Sequence, residues 1–389
     1  MILRPAFALI ALVASASTLE GQGCLNNTRN RQGTHHNSTR SDDDQRLLTI
    51  RWQRGDCEIR VDARGAFAVR ADLNGFTSVS DGGFVEIEER DGGRRRKVRV
   101  TQDGRALQYR WTLDGKDGFD VNPERWLAGM LLALELRTAM FSKSRVPELL
   151  RQGGPEAVLN ETSRMDSDYA RRMYYTALLS SRRLDDPTLE RLLRQAGDSM
   201  SSDYDRAELL RAVANQRPMS DRVTQAVISV AQRMSSDYEK RRSLSAGLES
   251  VGTLASRTAL FHAASTLRSD YELAELLIAA QRRSLVDSLS SESYFKAVDE
   301  ISSDYERRRT LSGLLKQRPE SPRVLAGVLK ASVNIDSDYE LASLLVEFAR
   351  AVPVRGELRE LYLKATRTIA SDWEYRRALN ALVDQDRNT

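Results

Sequence analysis

A tripeptide of serine, aspartate and an aromatic residue recurs seven times in the C-terminal two-thirds of the chain. Successive aspartates are 35, 34, 33, 34, 34 and 34 residues apart. Self-similarity at such a period is typical of stacked repeat arrays, in which each unit buries its apolar face against its neighbours. The copies are Ser167-Asp168-Tyr169, Ser202-Asp203-Tyr204, Ser236-Asp237-Tyr238, Ser269-Asp270-Tyr271, Ser303-Asp304-Tyr305, Ser337-Asp338-Tyr339 and Ser371-Asp372-Trp373.

The tripeptide has the chemistry of a helix start. Serine at the cap position accepts a hydrogen bond from a free backbone N–H, and aspartate in the first turn faces the positive end of the helix dipole. A glutamate three residues after the serine predicts a reciprocal capping box. These glutamates are Glu239, Glu272, Glu306, Glu340 and Glu374. An apolar residue stands two positions before every cap serine and predicts the end of the preceding helix, so each repeat is expected to be two helices with a tight joint.

The region before the repeats has a different period. Apolar and polar residues alternate at Ile59 and Val61 and at Val85 and Ile87, between turn-forming segments such as Asp91-Gly92-Gly93. Alternation with a period of two indicates strands with one buried face. We therefore predict a small antiparallel β domain over residues 46–118, in which the basic run 94–97 is a solvated turn and edge.

A helical period begins after Asn122-Pro123, which is a cap followed by proline in the first turn. We predict a mainly α fold, with a right-handed α-solenoid of about seven two-helix repeats over residues 122–389. Its architecture is expected to be similar to HEAT and tetratricopeptide arrays.

The N-terminus carries a targeting pattern. Arg4 precedes an apolar run over residues 6–14 and a small-residue site at Ala14-Ser15-Ala16, as in secretory signal peptides. We predict a signal peptide at residues 1–16, a disordered tether at residues 17–45, whose polar composition cannot offset its ordering entropy, and a periplasmic or secreted location.

The chain has two cysteines, Cys24 and Cys57. The spacing of Cys24 from the apolar run does not favour a lipid anchor. Cys57 leads an alternating apolar set and is interpreted as a small buried residue. The sequence leaves open whether the two cysteines form a disulfide.

Composition and motifs exclude several classes of protein. The chain has 59 basic and 55 acidic side chains, a net charge of +4, which argues against a dedicated nucleic-acid binder. No later apolar stretch is long enough to span a membrane. We find no catalytic, cofactor-binding or metal-binding motif, and His262 alone on an apolar helix is typical of packing. No catalytic residue, cofactor or metal is therefore predicted.

A second pattern lies in the residues that follow the tripeptides. Arginine pairs four and five residues after three of the aspartates alternate with glutamates five residues after two others. If equivalent positions lie side by side, Arg242 is near Glu208 and Glu275, and Arg309 is near Glu275. We predict ion pairs between repeats that help to set the register.

The repeat resembles the Ser-Asp-Tyr-Glu repeat of exported bacterial proteins, and it is similar to the extracytoplasmic C-terminal part of some BlaR-type membrane metallopeptidases. The resemblance covers the β segment, residues 151–159 and every repeat through Trp373. The zinc motif and membrane helices of that family do not occur in this sequence, so the resemblance implies the repeat architecture and not the peptidase activity.

The function predicted is a non-enzymatic envelope scaffold that binds a protein or peptide partner of unknown identity. Two alternatives are a regulatory or sensory module of an envelope signalling or membrane-peptidase system, and an enzyme of unrecognised type. The tripeptides have a structural interpretation, capping with a tyrosine packed between repeats, and a functional one, a regular binding surface. The candidate residues are Asp203, Tyr204, Asp237, Tyr238, Asp270, Tyr271, Asp304, Tyr305, Asp338 and Tyr339.

Overall fold

The computed structural model of the chain describes residues 34–42, 45–216 and 219–387. The signal-peptide prediction, the tether up to residue 33 and Cys24 lie outside the described residues. Two compact units are formed, one up to Glu135 and one from Leu136 onward, and each is described by itself.

The first unit contains an antiparallel sheet of seven strands in the order β1-β2-β3-β6-β7-β8-β9, and a separate hairpin of β4 and β5. Its two-residue turn between β6 and β7 consists of Gly92 and Gly93, both with positive φ, which is the backbone that a tight hairpin requires. The strands are β1 (Thr34–Asp42), β2 (Gln45–Arg54), β3 (Cys57–Arg64), β4 (Phe67–Val69), β5 (Phe76–Val79), β6 (Phe84–Asp91), β7 (Arg94–Asp103), β8 (Ala106–Leu113) and β9 (Lys116–Asp117).

Strand β1 corrects the prediction that residues up to 45 form a disordered tether. It pairs antiparallel with β2 over its whole length, from Thr34 opposite Gln53 to Asp42 opposite Gln45. A strand at the edge of a sheet is held by backbone hydrogen bonds to its neighbour, so a polar composition that cannot build a core does not prevent it from forming.

The basic run 94–97 also differs from its prediction, because β7 lies inside the sheet and Arg96 is buried. The Arg96 guanidinium pairs with Glu89 at 3.2 Å and with Asp120 at 2.8 Å. Glu89 also accepts a hydrogen bond from the indole N–H of Trp126 at 2.8 Å. A buried charge requires partners of this kind. Glu89 lies opposite Arg96 across the β6–β7 hairpin, whereas Asp120 comes from beyond β9.

Cys57 is buried, as predicted, and it is disulfide-bonded. The chain has one other cysteine, Cys24, which lies outside the described residues.

The helices confirm the mainly α fold. Asn122 caps α1 by accepting a hydrogen bond from the N–H of Arg125 at 2.8 Å. The helices are α1 (Pro123–Thr138), α2 (Ser142–Thr162), α3 (Asp168–Ser181), α4 (Asp186–Ser199), α5 (Asp203–Ala214), α6 (Asp221–Gln232), α7 (Asp237–Gly247), α8 (Leu254–Ala264), α9 (Asp270–Arg282), α10 (Ser291–Asp299), α11 (Asp304–Lys316), α12 (Pro322–Ser332), α13 (Asp338–Ala351), α14 (Glu357–Thr366) and α15 (Asp372–Arg387).

The second unit is a solenoid of two helical layers. The odd-numbered helices from α3 to α15 each begin at a tripeptide aspartate, and we call them the motif helices. Each motif helix packs on the next motif helix, and each even-numbered helix from α4 to α12 packs on the next even-numbered helix. One continuous cluster of buried apolar residues fills the space between the layers. The solenoid prediction is confirmed, and the right-handed sense of its coil stays a prediction.

Candidate binding surface

Every motif helix begins with its serine as the cap, as predicted. In the repeat of α9, the Ser269 hydroxyl accepts a hydrogen bond from the backbone N–H of Glu272 at 3.4 Å. The other six serines accept the equivalent bond at 3.2–3.4 Å. The cap satisfies one of the free N–H groups of each helix start and contributes about 1 kcal/mol.

The second half of the predicted capping box does not form at the glutamates, which make ion pairs instead. Glu239 binds Arg242 and Glu306 binds Arg309, both at distances up to 2.8 Å within one helix. The backbone N–H of the cap serine is therefore free for another acceptor. In the six repeats from Ser202 onward, that acceptor is the aspartate of the preceding repeat.

The aspartates join consecutive repeats. The Asp270 carboxylate accepts hydrogen bonds from the N–H groups of Ser302 and Ser303, at 3.1 and 2.8 Å. The same pair of bonds, to the cap serine and the residue before it, joins all six steps from α3 to α15, with distances of 2.7–3.1 Å. The bonded aspartates are Asp168, Asp203, Asp237, Asp270, Asp304 and Asp338.

The hydrogen bonds between repeats also favour the charged form of the Asp168 carboxyl group. Burial alone would raise the pKa of its carboxyl group, but hydrogen bonds from the backbone N–H groups of Ser202 and Ser201 outweigh burial and hold the pKa below its usual value. An anionic aspartate placed on two backbone N–H groups is a structural link between repeats. The aspartates of the candidate list are therefore committed to the solenoid.

The tyrosines have the opposite environment. The tyrosines of the six Ser-Asp-Tyr copies are between 44% and 60% exposed, and Trp373 is 76% exposed. The motif tyrosines are therefore not buried between repeats, although three of the rings contact an arginine of an adjacent repeat at the surface. The second residue of each motif helix lies at the surface of the solenoid. Other tyrosines, such as Tyr174 and Tyr294, fill the core.

These side chains form a row. Each aspartate contacts the cap of the next repeat, so successive helix starts lie side by side, and the aromatic residue directly follows the aspartate. We call this row the aromatic stripe, and it consists of Tyr169, Tyr204, Tyr238, Tyr271, Tyr305, Tyr339 and Trp373.

An arginine covers one face of each tyrosine in the stripe. The Cζ atom of Arg172 lies 5.2 Å from the ring centre of Tyr169 and 5.9 Å from that of Tyr204. The remaining distances are 5.4 Å for Arg241 and Tyr238, 5.7 Å for Arg309 and Tyr271, 5.5 Å for Arg308 and Tyr305, and 5.2 Å for Arg377 and Tyr339. All lie within the range of cation–π attraction, which holds the rings in position.

Four of the five arginines that cover the rings form ion pairs with carboxylates of neighbouring repeats, whereas Arg377 pairs with Glu374 of its own helix. Arg309 binds Glu275 of the preceding repeat at 2.6 Å, and Arg242 binds Glu208, so two of the predicted ion pairs are confirmed. The pairing of Arg242 with Glu275 is wrong, because the second carboxylate of Arg242 is Glu239 of its own helix.

The arginines four residues after the aspartates bond in the other direction along the stack. Arg172 binds Asp205 of the following repeat at 2.6 Å. Arg241 binds Glu272 and Arg308 binds Glu340 in the same way. Each of these three arginines therefore has an acidic partner in the following repeat.

A groove adjoins the stripe near its C-terminal end. It has a volume of about 1040 Å³ between α13 and α15, and its lining includes Val346, Trp373, Arg377 and Asn380. The groove offers a mixed apolar and polar wall next to the most exposed aromatic side chain.

Five tyrosines of the stripe were among the residues predicted from the sequence. Tyr169 and Trp373 were not, and the arginines were predicted only to set the register. The signal for the arginines was their position. Side chains four or five residues after a helix start lie one turn above it, where they reach the aromatic ring.

Within the part of the chain that the structure describes, no group of histidine, cysteine or carboxylate side chains could hold a metal ion. No described helix has the length and hydropathy needed to cross a membrane.

Comparison with known proteins identifies no family. No family model and no curated protein matches the sequence. A solved structure from work titled "Computational Design of Self-Assembling Cyclic Protein Homooligomers" is 13% identical, covers 67% of this chain and 88% of its own, and has a TM-score of 0.15. At that score the similarity carries no argument about the function of the chain.

Proposed function

We propose that this chain is a non-enzymatic scaffold of the cell envelope whose aromatic stripe binds an extended protein or peptide. The observation that carries the proposal is the stripe itself. It offers one exposed ring per repeat at the same helix position, and six of the rings are held by an arginine.

The exposure of the rings costs the fold free energy. Exposed aromatic side chains lose the free energy that burial would give them, and the fold has places for buried tyrosines elsewhere. Rings that are already held by a neighbouring cation lose little conformational entropy when a partner covers them. A row of such rings has the properties of binding anchors.

The envelope location is supported by two independent features. The N-terminal sequence has the pattern of a secretory signal. Cys57 is disulfide-bonded, and disulfides persist in oxidising compartments outside the cytoplasm. Thiol alkylation of protein isolated from the native cell, followed by mass spectrometry, tests this part. Alkylation of Cys57 without prior reduction would contradict it.

Selection from a peptide library tests the binding role. Random peptides of about 15 residues, long enough to span several repeats, are displayed and selected against the full chain. We expect enriched peptides to lose affinity for a variant in which Tyr238 and Tyr271 are both replaced by alanine. Leu289→Ala is the matched control, since Leu289 is an exposed apolar residue outside the stripe. The proposal is refuted if no peptide is enriched, or if enriched peptides bind the double variant as tightly as the wild type.

A further inference from the structure

The spacing of the stripe restricts the conformation of its partner. Arg172 contacts both Tyr169 and Tyr204, so these two ring centres are at most about 11 Å apart. Packed helices lie about 8–10 Å apart axis to axis, and equivalent side chains on adjacent motif helices repeat at about the same distance. A matching ligand must present the same face about every 8–10 Å.

A polyproline II helix meets this requirement. It has three residues per turn and a rise of about 3.1 Å, so every third residue faces the same side at intervals of about 9.3 Å. An extended β-strand presents the same face about every 6.6–6.8 Å. A β-strand would therefore fall out of register with the rings after one repeat.

The chemistry of the stripe agrees with the spacing. The arginines that cover the rings are paired with carboxylates such as Asp205, Glu272 and Glu275, so these arginines already have acidic partners within the protein. An aromatic surface whose charges are paired in this way is complementary to an uncharged, apolar ligand. The carbonyl groups of a polyproline II helix have no internal hydrogen bonds, and the hydroxyl groups of the exposed tyrosines are hydrogen-bond donors.

The number of contacts also favours a stiff ligand. One ring per repeat is a weak anchor, and several weak anchors add only if the ligand does not lose much entropy in meeting them together. A polyproline II segment is already extended and stiff before it binds.

We propose that the aromatic stripe binds proline-rich segments in the polyproline II conformation, with one tyrosine for each three residues of the ligand. This inference rests on the proposed binding function and specifies the class of partner.

Binding of fluorescent oligoproline peptides to the full chain, measured by anisotropy, tests the proposal. Peptides of about six, nine, twelve and fifteen prolines add one turn at a time. We expect the Kd to fall with each added turn, and a glycine-serine peptide of equal length to bind at least about tenfold more weakly, because it must be ordered first.

Variants connect the binding to the stripe. We expect the double replacement of Tyr238 and Tyr271 by alanine to raise the Kd for the longest oligoproline at least about tenfold. Phenylalanine at both positions should raise it less, since the rings remain and only the hydroxyl donors are lost. Leu289→Ala should leave the Kd unchanged, and circular dichroism of each variant reports whether the helices are intact.

Three results would overturn the inference. They are the absence of oligoproline binding, binding that does not depend on the two tyrosines, and an affinity that does not rise with length. If library peptides bind through the tyrosines but oligoproline does not, the peptide-binding function is supported and the proposal of a polyproline II partner is refuted. If a β-1,4-linked N-acetylglucosamine oligomer binds through the tyrosines and peptides do not, the partner is a glycan and both proposals fall.

Discussion

Replacing Asp270 by alanine tests whether the aspartates hold consecutive repeats together. Asp270 accepts one hydrogen bond from Ser302 and one from Ser303. The third residue of its helix is Glu272 and the fourth is Leu273, so no arginine of its own first turn depends on the carboxylate. The substitution therefore removes the link between α9 and α11 and little else.

The magnitude follows from the two bonds. A hydrogen bond to a charged group contributes about 1.5–3 kcal/mol. The bond from Ser303 is partly buried, so its full contribution to the free energy of unfolding is lost. The N–H of Ser302 is exposed and can bond to water after the substitution. We expect Asp270→Ala to lower the free energy of unfolding by about 2–4 kcal/mol. Asp270→Asn keeps one acceptor oxygen and should lower it by about half as much.

The matched control is Asp186→Ala. Asp186 holds the same first position in α4, and its side chain makes no hydrogen bond or ion pair to any other described residue. Its removal deletes the interaction with the helix dipole alone, which contributes about 0.3–1 kcal/mol. The difference between the two variants measures the link between repeats.

Two measurements report the result. Urea denaturation followed by circular dichroism gives the free energy of unfolding, and hydrogen exchange gives the protection of the Ser303 amide. Because repeat arrays are stabilised by nearest-neighbour interfaces, protection should fall most around the start of α11. The reasoning is wrong if Asp270→Ala costs no more than Asp186→Ala, or if protection at Ser303 is unchanged.

Three further predictions concern other features of the fold. A double-mutant cycle with Glu275→Ala and Arg309→Ala should give a coupling energy below about 1 kcal/mol that decreases with added salt, because the pair is partly exposed. Gly327→Ala should lower the melting temperature, because its new methyl group would stand 2.1 Å from the ring of Phe295, although alanine favours helices. The pKa of Asp168 is lowered in the folded state, so its contribution is full above about pH 4 and is lost as the pH falls through the folded pKa; the stability difference between wild type and Asp168→Asn should therefore shrink in acid.

Each of these predictions has a result that contradicts it. A coupling energy of zero at low salt would remove the register role of the ion pair. A higher melting temperature for Gly327→Ala would mean that Phe295 moves away at no cost, and Gly247→Ala, at the end of α7 where the nearest atom to the new methyl group lies 3.9 Å away, is the control for helix propensity. A constant difference between wild type and Asp168→Asn from neutral pH to acid would mean that the carboxylate is not held in its charged form.

The sequence predicted the solenoid because its signals are local. The apolar period of residues 273–280, the cap serines and the constant spacing of the aspartates all concern one chain segment and its nearest neighbours. The antiparallel sheet was predicted for the same reason, from alternation and turn residues. The ion pair between Arg309 and Glu275 was also accessible, since stacking places equivalent positions side by side.

Contacts between distant segments were decided by the tertiary structure. The sequence suggested that Glu272 would close a capping box around Ser269, but the Ser269 N–H bonds to Asp237, 32 residues earlier. Strand β1 and the pairing of Arg96 with Asp120 likewise depend on partners that no local pattern names.

The tripeptide shows most clearly which features the sequence determined and which only the tertiary structure decided. The sequence determined that Ser-Asp-Tyr begins a helix, because capping depends on the backbone within four residues of the serine. Only the stacking of repeats decided that the aspartate is used between repeats and that the tyrosine is exposed. Exposure depends on which neighbouring helix covers a side chain, and that neighbour is set by packing across about 34 residues of sequence.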